Sequence, residues 1–144
     1  MDLFDEFVDA VLDLMRTARR TGGAAHTVRG DGVSVPQLVV LGAVDVAGGQ
    51  GVTAVAERAG LAQPTVTRAL AALERRSLVL RAPHASDGRT TSLALTPAGK
   101  AMLEETMRNV VARFGEVWES LAEDQREHAV RLIRSLSRVT AELT

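Results

Sequence analysis

The segment from Thr53 to Arg76, TAVAERAGLAQPTVTRALAALERR, constrains the fold most, because its small, apolar and turn residues fall where two short helices must cross tightly. Ala56 stands four residues before Gly60, and Val66 follows six later. This puts a small residue at the crossing, a glycine in the turn and a β-branched residue under the second helix. On that second helix Val66, Leu70 and Leu73 recur at i, i+4 and i+7 and mark a core face, while Arg68, Ala72 and Arg75 fall on the opposite side. The spacing predicts a helix-turn-helix.

The outward face of the second helix is therefore basic and slim. Such a face suits a DNA major groove, where small residues permit close approach and an arginine bridges the two acceptors of a guanine edge. An amphipathic surface helix with solvated arginines would carry the same pattern. Net charge decides little: the chain is −1 overall, but residues 58–89 hold six arginines against Glu74 and Asp87, a window of +4 that leaves −5 for the remainder. A concentrated basic patch on a mildly acidic body is compatible with phosphate binding and with solubility. Sixteen of the seventeen basic residues are arginine in a chain rich in alanine, valine and glycine, so the arginine preference reads as compositional background.

The 144 residues, 46% hydrophobic, fit a single domain spanning 1–144. No apolar run approaches the roughly 20 residues that cross a bilayer, and the acidic start MDLFDEF lacks a cationic leader, so the expected location is the cytoplasm, with no membrane partner. There is no cysteine, and the three histidines, His26, His84 and His128, are scattered. Disulfides and thiolate chemistry are excluded within the chain, and neither a metal site nor a cofactor is expected.

Along the chain, Phe4, Phe7, Val8, Val11, Leu12, Met15 and Ala18 predict an amphipathic helix over residues 3–20, followed by a loop over 21–33. Ser34 caps a helix from about Val35 to Ala47, and Gly48–Gly51 reads as a flexible link into the helix-turn-helix. Residues 78–81 and 91–95 are strand-like, and 83–89 between them form a polar, basic tip. A hairpin directly after a recognition helix is a wing, whose tip would lie beside the adjacent minor groove. Thr96 and Pro97 start a long helix carrying Leu103, Met107, Val110, Phe114, Val117 and Trp118 at helical spacing. A last helix over about 122–143 sets Ala129, Leu132, Ile133, Leu136 and Val139 on one face and Arg126, Arg131, Arg134 and Arg138 on a solvated one. The fold class is thus mainly α with a small β-hairpin wing: a winged helix-turn-helix core over about 34–99, with flanking helices over 3–20 and 97–143 whose apolar stripes await a second copy of the chain.

From Gln37 to about Leu103 the chain resembles the MarR family of bacterial transcription regulators, through QLVVLGAV, VTAVAERAGLAQPTVTRALAALERRSLV and SDGRTTSLALTPAGKAML. The wing-to-helix run is the specific part: Asp87, Arg89, Leu95, Thr96 and Gly99 stand at the family's spacing. The resemblance implies a homodimer joined through its terminal helices, setting two winged modules on successive major grooves of a pseudo-palindromic operator on double-stranded DNA, with half-sites about one helical turn apart. It implies that Gln63, Pro64, Thr65 and Arg68 form the base-reading front of the recognition helix, that Thr67 meets a phosphate, that Arg89 enters the minor groove, and that Asp87 steadies the wing. It also implies a repressor released by a small aromatic effector, whose binding residues remain unassigned. Three positions depart from the family: Gly88 replaces one of two paired wing arginines, Ser77 a common glycine after the recognition helix, and Ala62 a frequent capping serine.

His84, Ser86 and Asp87 share one short turn, which cannot align nucleophile, base and orienting acid, so no catalytic residue and no enzyme is expected. His84 is a candidate phosphate contact or a solvated loop residue. Phe114 and Trp118 either pack or line a pocket, and Thr53, Glu57 and Arg58 suit orientation on the DNA backbone more than base reading. The alternative function is a winged-helix dimer whose basic surface meets an acidic protein.

Overall fold

Ser34 caps a helix at the head of the winged core. The computed structural model describes residues 2–23, 32–83 and 91–143, the side chains of 19–23 excepted. The elements are α1 (Leu3–Gly23), α2 (Val35–Ala47), a 3₁₀ turn (Gly48–Gln50), α3 (Val52–Ala59), α4 (Gln63–Arg75), β1 (Val79–Pro83), β2 (Thr91–Leu95), α5 (Pro97–Ser120) and α6 (Glu123–Glu142). They form two units, Met1–Thr106 and Met107–Thr144. At the head of α2 the Ser34 hydroxyl accepts from the Gln37 amide at 3.3 Å, while Gln37 Oε1 accepts from the Ser34 amide at 3.0 Å. This reciprocal cap satisfies two amides that a helix start otherwise leaves without partners.

The core of the first unit is small and aliphatic. Val40, Leu41 and Val44 of α2 meet Val55 of α3, Val66, Leu70 and Leu73 of α4, and Leu78, Val79 and Leu93 at the wing base. Burying each of the larger side chains is worth about 1.5–3 kcal/mol. The predicted core face of α4 is confirmed, since Val66, Leu70 and Leu73 are all fully buried. The wing is antiparallel, in register from Val79 opposite Leu95 to Pro83 opposite Thr91. Pro83 thus closes β1 rather than opening the tip, and residues 84–90 lie outside the described residues.

Two further readings differ from the structure. α1 runs on to Gly23, past the expected end near residue 20. The glycine segment after α2 is no flexible link: Gly48–Gln50 coil into the 3₁₀ turn, Gly48 is buried, and the turn packs against β2. Glycine content alone suggests freedom, but a backbone without side chains also lets two elements approach closely.

α4 ends on a left-handed serine. Among the described residues Ser77 is the one non-glycine at positive φ, 56°. Its amide bonds Glu74 O at 3.0 Å and the Leu78 amide reaches back to Leu73 O at 2.9 Å, the paired bonds of a Schellman cap. Thr96 holds this cap from the far side. Its hydroxyl donates to Ser77 O at 2.7 Å and accepts from the Gly99 amide at 2.9 Å, while its own amide donates to Leu78 O at 3.1 Å. Gly99 is buried where a Cβ would overlap the Leu78 carbonyl oxygen.

In the second unit the Arg126 guanidinium lies 5.1 Å from the centre of the Trp118 ring, with Nη2 3.5 Å from Glu119 Oε2. The expected solvated arginine face is therefore incomplete: Arg126 is half-buried, and its Nε is buried without a hydrogen-bond partner. Arg131, Arg134 and Arg138 are exposed as expected. Phe114, Val117, Trp118, Leu132, Ile133 and Val139 are exposed in the single chain, as are Phe4, Phe7, Val8 and Leu12 of α1 in the first unit.

Ser77→Gly is expected to raise stability by about 0.5–1 kcal/mol, the left-handed penalty of about 1–2 kcal/mol less the extra unfolded-chain entropy of glycine. A melting curve no higher than wild type would show that Ser77 is unstrained. Gly99→Ala is expected to lose about 1–3 kcal/mol by overpacking against the backbone, read as an earlier urea midpoint; an unchanged midpoint would refute the close approach.

Candidate nucleic-acid interface

The turn between α3 and α4 is made by Gly60. Its φ of 65° suits glycine, and its amide closes α3 by donating to Ala56 O at 3.0 Å and Glu57 O at 3.3 Å. The chain then extends through Ala62, which offers no side-chain cap, and α4 begins at Gln63. Pro64 has no amide to satisfy, so part of the missing cap is already accounted for.

Gln63, Pro64, Thr67 and Arg68 together line a shallow, open depression at the front of α4. Four of the five recognition-helix residues singled out in the sequence therefore share one surface, and the fifth, Thr65, is half-buried beside the fully buried Val66. Arg68 and Arg75 are exposed and Ala72 is half-buried, which is the slim basic face that the spacing predicts. The Thr67 hydroxyl donates to Gln63 O at 2.9 Å, one turn back. Contact with a phosphate through that proton requires the hydroxyl to rotate away from its own helix.

The basic window divides into framework and surface. Arg81 Nε lies 2.7 Å from Glu74 Oε1, tying β1 to α4. Arg76 Nη1 donates to Gly32 O at 2.7 Å, tying the end of α4 to the segment before α2. Arg58, Arg68 and Arg75 are exposed. His84, Asp87 and Arg89 of the wing lie outside the described residues. Sequence reading missed the Glu74–Arg81 pair because its partners sit on a helix and a strand, where no single periodicity relates them; the opposite charges seven residues apart across a predicted turn were the available signal. Among the described residues no helix is long and apolar enough to cross a membrane.

Residues 33–91 match the model of the MarR family. Over 84 residues the chain is 30% identical to the HTH-type transcriptional repressor YetL of Bacillus subtilis (strain 168). That alignment takes in 58% of this chain and 50% of the relative, so it spans half of that protein's length. The PcaV transcriptional regulator of Streptomyces coelicolor, solved in complex with its natural ligand, is 26% identical over 97% of both chains, with a TM-score of 0.72. Bordetella bronchiseptica BpsR, whose DNA binding is regulated by 6-hydroxynicotinic acid, is 25% identical over 90% of this chain and 98% of its own, with a TM-score of 0.65. The fold likeness takes in the flanking helices as well as the winged core, and the sequence likeness runs through the helix-turn-helix whose side chains line the depression. On both grounds the chain is similar to the MarR family of winged helix-turn-helix proteins, with the family match lying over residues 33–91.

Proposed function

We propose that this protein is a sequence-specific, double-stranded DNA-binding transcription regulator, a repressor that acts as a homodimer in the cytoplasm. The observation that carries the reading is the front of α4, where Gln63, Pro64, Thr67 and Arg68 line one open surface while Val66, Leu70 and Leu73 anchor the helix from behind. A rigidly seated helix with a slim basic front is what major-groove reading requires. Arg68 reads a base edge, Gln63, Pro64 and Thr65 shape the entry to the groove, and Thr67 meets a phosphate. In the wing, Arg89 enters the minor groove, Asp87 steadies it, and His84 touches the backbone.

The whole chain from 1 to 144 is read as a single MarR-type domain. Exposed apolar side chains on α1, α5 and α6 support dimerisation, since a second copy would remove them from water. YetL is a transcriptional repressor, and BpsR shows a relative whose DNA binding answers to a small aromatic acid. By that likeness a small aromatic effector releases this protein from its operator, which requires tighter binding to the released geometry than to the DNA-bound one.

Fluorescence anisotropy against DNA from upstream of the protein's own gene, titrated across salt, tests the reading. The expected result is binding about 1,000-fold tighter than to scrambled DNA; equal, steeply salt-dependent binding to both would defeat it. Arg68→Ala is expected to weaken operator binding by about 1–3 kcal/mol and to relax preference at one base pair per half-site. A loss shared equally by all sequences would reassign Arg68 to phosphate contact.

A further inference from the structure

The contact between Glu74 and Arg81 joins the helix that faces DNA to the strand that begins the wing, and we infer that this pair is a positioning device for duplex binding rather than part of the basic contact surface. The inference rests on the DNA-binding reading above.

Geometry puts the pair at the level where the wing leaves the core. On β1 only Val79 is buried, and Leu80 through Pro83 are exposed. Arg81 lies opposite Leu93, which is buried on β2. Side chains alternate along a strand, so Arg81 shares the face of Val79, the face turned toward the core and α4. Its Nε donates to Glu74 Oε1 at 2.7 Å. Glu74 is six residues after Arg68, which at 100° per residue places it about 120° around α4, on the flank rather than the front.

The pair thus braces the hairpin at the level of its last buried residue, Leu93. A strand rises about 3.3 Å per residue, so any tilt at this level grows along the hairpin as it leaves the core. Both side chains are partly exposed, Arg81 at 42% and Glu74 at 30%, and pairs of this kind add little to global stability. Their consequence is orientation: without the brace the wing and α4 no longer approach the duplex at one fixed angle.

The test turns on the sign of the effect at Glu74. If charge alone mattered, Glu74→Gln would remove a carboxylate near phosphates and tighten operator binding, Arg81→Gln would weaken it, and the double variant would return close to wild type. The positioning role predicts that both single variants weaken operator binding by at least about threefold, that the double variant is no weaker than either single, and that all three keep melting temperatures near wild type. Tighter binding by Glu74→Gln would overturn the inference. A second readout needs no DNA. The chain has no cysteine, so Glu57→Cys on α3 and Ala82→Cys on β1 accept one spin label each, with labelled chains diluted in unlabelled protein. The interlabel distance distribution is expected to broaden with Glu74→Gln, and an unchanged width would overturn the brace. If wild-type protein shows no operator preference, the DNA-binding reading falls while the label distances still decide whether the pair braces the wing.

Discussion

Thr96 ties together three elements through a few short bonds, and the outer structure of the first unit depends on that knot. Its hydroxyl takes the Gly99 amide and gives its proton to Ser77 O, while its amide holds Leu78 O. Helix α4 must therefore end, the chain must turn into β1, and α5 must begin, all within one small volume. Ser77 accepts a left-handed conformation there because the two amides of the cap and the Thr96 bond over-determine its geometry. Gly99 is required for the same reason, since the first turn of α5 lies directly on the Leu78 carbonyl.

That knot gives the winged module its rigidity at the base, and the arginines extend it outward. Arg76 and Arg81 lie in the same basic window as Arg68 yet reach back to Gly32 and Glu74. Charge in this region thus has two separate uses. Arg76 and Arg81 hold elements in place while remaining exposed, at a modest energy each because water competes at the surface, and Arg58, Arg68 and Arg75 are exposed as well. A net charge of −1 conceals both groups.

The second unit shows a different economy of side chains. Arg126 covers part of the only tryptophan in the chain and leans toward Glu119. A guanidinium is weakly hydrated and stacks well on an aromatic face, which explains how this arginine is half-buried on a helix whose other arginines face water.

The sequence by itself determined the order and kind of the elements. Periodicity marked the buried face of α4, Ser34 marked a helix start, Gly60 marked the turn, and two short strand-like runs marked the wing, because each signal is carried by residues near one another in the chain. The front of α4 was legible for the same reason: once three residues face the core, the helix repeat leaves little choice for the others. Tertiary structure alone decided what non-local contact imposes. It turned Gly48–Gln50 from a link into a packed turn against β2, drew Arg81 onto Glu74 and Arg126 onto Trp118, and explained Thr96 and Gly99 as a latch and a close approach. In each of these cases the deciding partner lies on another element, and no local pattern encodes which distant backbone or side chain folding will bring within reach.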